Sequence, residues 1–202
     1  MFVALIPPED ALEDLAEFLV PRQEVDSGLR WTVREQWHVT LAFMGQVQDR
    51  SLDDLHERLT RAAARRTPFR VTVTGGGAFP HPGRAKVLYA GLDLPEEGKE
   101  LRRLATGARA AANKAGAEAG GGRFHPHVTL ARIGRPFDVT KWVRVLDAYR
   151  GPTWTADTVS LVQSHLGEGP RNRPRYEVVG RFPMGRPVAR EESREESREE
   201  PG

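Results

Sequence analysis

The sequence predicts an α+β fold made of two similar halves, each running strand, helix, strand, helix, strand, with two similar sheets. Three observations carry this. The tetrapeptide His-Val-Thr-Leu occurs twice, at residues 38–41 and 127–130, 89 positions apart. The same offset sets Gly45 against Gly134. Upstream, Phe2-Val3-Ala4-Leu5 with Pro8-Glu9 parallels Tyr89-Ala90-Gly91-Leu92 with Pro95-Glu96 at an offset of 87. Mixed strands and helices in this order belong to the α+β class. A pseudo-twofold would bring the two motif strands together at a shared cleft.

Each element has its own signal. Residues 2–6 read as a buried strand. Residues 9–19 place Leu12, Leu15, Ala16 and Leu19 on one helical stripe. A strand spans residues 39–44. Ser51 is the expected N-cap of a helix to about residue 64, with Leu52, Leu55 and Leu59 inward. Phe69, Val71 and Val73 alternate in a strand expected to stop at Gly75-Gly76-Gly77. In the second half, strands are expected at 87–92, 124–133, 158–166 and 176–182, with helices at 96–117 and 140–149. The glycine runs 75–77 and 120–122 read as mobile loops. Neither leads into the Gly-Lys-Ser or Gly-Lys-Thr of a phosphate-cradling loop.

The 202 residues are 39% hydrophobic, enough for one domain or a tightly joined pair. Residues 1–186 are expected to form a single domain. Residues 187–202 read as a charged low-complexity tail, whose Arg-Glu-Glu-Ser repeat has no apolar face and is expected to be disordered. No apolar run approaches the roughly 18 residues of a bilayer span. The first ten residues lack a basic segment and reach Pro7, Pro8 and two acids at once, so neither a signal peptide nor an anchor is expected. Without cysteine there are no disulfides and no thiolate metal sites. A cytoplasmic, monomeric protein is the expectation. The net charge of +2 divides into −3 over residues 190–202 and about +5 over the rest, carried mostly by arginine. Guanidinium forks suit phosphate.

A strand alternates faces, so His38 shares a face with Thr40, and His127 with Thr129. Val39, Leu41, Val128 and Leu130 face the opposite, apolar layer. Opening a cyclic phosphodiester with water needs one base and one acid. Imidazole serves either role near neutral pH. The two hydroxyls suit the non-bridging oxygens, where charge builds, and no metal is then required.

The sequence resembles the two-histidine (2H) phosphoesterase superfamily, in its RNA 2′,3′-cyclic phosphodiesterase (2′-5′ RNA ligase-like) branch. The matching stretches are Phe2-Val3-Ala4-Leu5 with Pro8-Glu9, Arg30-Trp31, Trp37 to Gly45, Gly77-Ala78-Phe79-Pro80, Val87 to Leu92, Phe124 to Arg132, and Val159-Ser160-Leu161 with Ser164-His165-Leu166 and Tyr176. The resemblance spans residues 2–184. It implies a bilobal fold in which two mostly antiparallel sheets flank a central cleft. It also implies hydrolysis of a terminal 2′,3′-cyclic phosphate to a 2′-phosphate, on RNA 3′ ends or small cyclic nucleotides, without cofactor, metal or membrane. On this resemblance His38 is the proton donor and His127 the proton acceptor. Thr40, Thr129 and Arg132 bind substrate phosphate. Strict alternation turns Arg132 away from His127, so its role needs a bulge, a strand end or a long reach. Two alternatives are the reverse reaction, 2′-5′ RNA ligation, and a non-catalytic module that binds RNA ends.

The other candidates have plainer readings. His125 departs from the Arg, Lys or other polar residue common at that position in relatives. His125-x-His127 could ligate a metal, but no third ligand is evident. His56 and His81 are expected to face solvent, and His165 to be structural. Trp31, Trp37, Phe43 and Phe124 could stack a base, although core packing is the expectation for each.

Overall fold

A computed structural model describes residues 1–24 and 28–185. The predicted tail, 187–202, lies outside the described residues. The strands are β1 (Phe2–Leu5), β2 (Leu29–Trp31), β3 (Val39–Phe43), β4 (Phe69–Phe79), β5 (Ala85–Asp93), β6 (Val128–Phe137), β7 (Arg150–Ala156), β8 (Thr158–Gly169) and β9 (Arg173–Pro183). The helices are α1 (Glu9–Gln23), α2 (Leu52–Ala64), α3 (Lys99–Lys114) and α4 (Thr140–Asp147). The class is α+β, as predicted.

Among the described residues the nine strands form one curled antiparallel sheet in the order β7-β4-β5-β6-β3-β1-β8-β9, with β2 also paired to β6. The two expected sheets are its two halves. They are joined at a single register pair, Val39 with Val128. Outward from that seam, β6-β5-β4 matches β3-β1-β8, so the first half of the chain lends β4 to the second half's sheet, and the second half lends β8, with β9 beyond it, to the first half's. The helices exchange too. α1, from the first half, packs on β7, while α3, from the second, packs on β3. Val39, Leu41, Leu55, Leu101, Leu104, Val128 and Leu130 share one core.

The register corrects the expected repeat in one place. Phe2 pairs with Phe43 and Val3 with Ala42. Val87 pairs with Arg132 and Leu88 with Ala131. The equivalent of Phe2 is therefore Val87 rather than Tyr89. The slip is two residues, which preserves facing and leaves the hydrophobic alternation unchanged.

Several boundaries also move. β4 does not stop at Gly75-Gly76-Gly77 but runs through them, with a bulge between Thr74 and Gly76. Gly75 takes φ +67 at the bulge, and a Cβ on Gly77 would lie 2.3 Å from the Tyr89 ring. These glycines allow close packing rather than a loop. Ser51 makes no capping hydrogen bond, because a 3₁₀ turn over Asp49–Ser51 leads into α2. The helix expected from residue 96 is divided by a 3₁₀ turn, Pro95–Gly98, where Gly98 takes φ 72. α1 continues to Gln23, with Pro21 inside it. Residues 124–127 precede β6 rather than belonging to it. β2 and β7 are additions to the predicted elements.

Candidate active site

The seam places the motifs. Continuing the antiparallel register one residue either side of Val39–Val128 sets His38 against Thr129 and Thr40 against His127. All four side chains line one cleft of about 1310 Å³, as does Arg132. The structure thus brings together every residue singled out for the site.

The two imidazoles are held alike. His38 Nδ1 lies 2.7 Å from the carbonyl oxygen of Gln36, and His127 Nδ1 lies 2.8 Å from that of His125. A carbonyl only accepts, so each Nδ1 carries the hydrogen and donates it. In the neutral ring Nε2 is then the unprotonated atom. Gln36 is itself tied down, its Nε2 donating to the Pro174 carbonyl at 2.7 Å.

Aromatic rings fix both planes. Phe2 stacks on His38 at 4.4 Å, and Tyr176 meets it edge-on at 5.5 Å. Phe79 and Tyr89 flank His127 at 5.0 and 5.2 Å. Burial among these rings disfavours the charged forms. Burial, reinforced by His127 and Arg132 and opposed by the Gln36 hydrogen bond, lowers the His38 pKa to about 4. Burial likewise lowers that of His127, with the charges of His125 and Arg132 adding to the effect. An anionic ligand would supply the countercharge that both rings lack.

Arg132 reaches the cleft through a bulge. Thr129 pairs with Tyr89, but Ala131 pairs with Leu88, so Leu130 has no partner on β5. The extra residue restarts the alternation and turns Arg132 to the side of Thr129. The same irregularity recurs at Leu41, where Thr40 pairs with Ala4 and Ala42 with Val3. There it turns Phe43, the counterpart of Arg132, outward to 59% exposure on the cleft wall. Core packing, expected for Phe43, is therefore overturned by the bulge.

Sequence reasoning missed Thr32. Its hydroxyl donates to the carbonyls of Thr129 and Leu130, each at 2.9 Å, and its amide donates to Leu130 at 2.8 Å. Trp37 Nε1 donates to the same hydroxyl at 2.9 Å. Thr32 thereby satisfies the backbone at the bulge that aims Arg132. A Thr just after a three-residue strand carries no periodic signal.

Trp37 is buried, as expected. Trp31 packs edge-on against Trp142 at 5.1 Å and also lines the cleft. Phe124 lies under the Arg109 guanidinium. His165 sits between Glu177, at 3.1 Å, and Glu168, at 3.6 Å, consistent with a structural role. His81 is exposed, while His56 is half-buried against Phe182 rather than facing solvent freely. His125 contacts the Phe79 and Tyr89 rings.

A curled antiparallel sheet carrying paired His-x-Thr strands across a cleft defines a two-histidine phosphoesterase. The chain belongs to the 2′-5′ RNA ligase superfamily, whose pattern matches residues 7–168. It is 34% identical over 149 residues to an RNA 2′,3′-cyclic phosphodiesterase of Aeropyrum pernix, covering 71% of this chain and 82% of that one. It is 32% identical over 193 residues to one of Thermus thermophilus, covering 91% and 89%. A solved structure from Thermus thermophilus superposes with a TM-score of 0.69 at 28% identity, covering 92% and 98%. E. coli LigT complexed with 3′-AMP superposes at 0.72 with 22% identity, covering 91% and 96%, a likeness of fold.

Proposed function

We propose that this chain hydrolyses 2′,3′-cyclic phosphates at RNA 3′ ends, or on nucleosides, to 2′-phosphates, with two histidines and no metal. The observation that carries it is the matched pair of imidazoles. Each is fixed through Nδ1 by a carbonyl two residues upstream, beside a motif threonine, on either side of one seam. Binding alone would not need a paired acid and base.

His127 Nε2 takes a proton from the attacking water. The new P–O bond forms as the bond from phosphorus to O3′ breaks. The proton on His38 Nε2 passes to O3′, leaving a 3′-hydroxyl and a 2′-phosphate. Thr40 and Thr129 donate hydrogen bonds to the non-bridging oxygens, and Arg132 neutralises their charge. Burial leaves His38 largely uncharged at neutral pH in the free protein. The substrate's own negative charge makes its protonated form accessible.

These roles form one unit within a single domain covering residues 1–186. Identity to relatives named RNA 2′,3′-cyclic phosphodiesterase supports the substrate class. The test is turnover of RNA ending in 2′,3′-cyclic phosphate, with the product isomer identified. His38→Ala and His127→Ala should each lose about 10²- to 10⁴-fold in rate, and EDTA should leave the wild-type rate intact. A 3′-phosphate product, or full activity in either variant, sinks the assignment.

A further inference from the structure

The cleft continues past the histidine pair along β6, and two arginines on neighbouring strands line it there. Arg30 of β2 lies directly opposite Arg132 of β6 in the antiparallel ladder. Residues so placed share a face, with Cβ atoms about 5 Å apart, and like charges there repel. Both are exposed and both line the cleft. Among the described residues neither forms an ion pair, and Glu35, a carboxylate that also lines the cleft, pairs with neither. Two opposed cations without a countercharge suit a bound anion, and guanidinium forks suit a phosphate in particular.

The two arginines sit on different strands. Arg132 is close enough to act on His38, His127 and Tyr176 through its charge. Arg30 is carried on β2, the strand beside β6, rather than on a motif strand. The cleft, at about 1310 Å³, also exceeds the roughly 300–1,000 Å³ typical of a site for one small ligand. There is room beyond a terminal nucleotide, and the added wall is cationic.

We propose that Arg30 and Arg132 form a second anion subsite that grips the phosphodiester on the 5′ side of the terminal nucleotide, so that the cleft selects an RNA chain end over a free nucleoside cyclic phosphate. Arg132 stands between the reacting phosphate and its neighbour, and Arg30 holds the outer one. This deepens the proposed function and rests on it.

The test compares a dinucleotide ending in 2′,3′-cyclic phosphate with the corresponding nucleoside 2′,3′-cyclic phosphate. A third substrate, the nucleoside cyclic phosphate bearing a 5′-monophosphate, separates an internucleotide phosphate from a terminal one. The wild-type protein should favour the dinucleotide at least tenfold in kcat/KM. In Arg30→Gln that ratio should fall at least fivefold, and Arg30→Lys should retain part of it. The salt dependence for the dinucleotide should become shallower by a slope of about 0.7, the loss of one single-strand phosphate contact. Because the readout is a ratio within one protein, partial misfolding does not mimic it. A wild-type ratio near one, or a ratio unmoved in Arg30→Gln, overturns the subsite while leaving the cyclic phosphodiesterase reading intact. Equal preference for the 5′-monophosphate substrate overturns the selection of a chain end. A wild-type protein that turns over none of the three overturns both proposals.

Discussion

Val39 is paired across the central seam with Val128, the residue that holds its own position in the second copy of the repeat. The pseudo-twofold axis therefore runs through this pair. Each histidine, one residue upstream, is carried to the edge of the other copy's strand. Four consequences can be measured.

The pH optimum should lie on the acid side of the ordinary imidazole value. Burial lowers both histidines in the free protein, His38 to about 4. A bell-shaped kcat/KM profile reports free-enzyme groups, so its centre should fall below about 6.5. The kcat profile, taken with anionic substrate bound, should be displaced upward. A kcat/KM optimum above pH 7 would contradict the assignment of these two groups.

Stability should depend on the same group. The folded-state pKa of His38 is depressed, so the folded chain binds this proton less readily than the unfolded chain. Its favourable contribution is complete above about pH 6.5 and is lost as pH falls toward 4, at a cost of about 3 kcal/mol. Denaturant titrations of wild type and His38→Gln across that window measure it. The variant should lose less on acidification. Parallel losses in the two proteins would rule out His38 as the source.

Thr32→Val keeps the side-chain shape but strips the hydroxyl from the Thr129 and Leu130 carbonyls and from Trp37 Nε1. We expect a cost of about 1–3 kcal/mol for the unpaired groups. Because the bulge aims Arg132, KM should rise more than kcat falls. A stability loss with unaltered KM would show that Thr32 supports the fold but not the site.

Gly77→Ala places a methyl 2.3 Å from the Tyr89 ring, which flanks His127. Overpacking of this kind costs about 1–3 kcal/mol. Displacement of Tyr89 should also lower turnover. Pairing it with Tyr89→Leu, which makes room, should recover stability without restoring activity. Full recovery of both would show that Tyr89 does not position His127.

The motif histidines and threonines were legible because their spacing, identity and repetition all point one way. Arg132 was legible only by resemblance. Strict alternation turns it away, and the bulge at Leu130 that turns it back has no marker in composition. The two-residue slip between Phe2 and Tyr89 was invisible for a related reason, since a shift of two preserves every inward and outward position. Gly75-Gly76-Gly77 misled because glycine runs signal turns in general, whereas here Leu146 and Tyr89 press against the strand backbone. β2 is three residues long, too short for any period, yet it delivers both Arg30 and the Thr32 clamp.

The exchange of strands between halves also dictates an order of events. β1, buried on both faces, needs β3 on one edge and β8 on the other. During biosynthesis its second edge has no neighbour until residues 158–169 leave the ribosome. The nascent chain must keep an apolar, half-paired strand from straying for most of translation, and the pocket around His38 can close only when that late hairpin arrives.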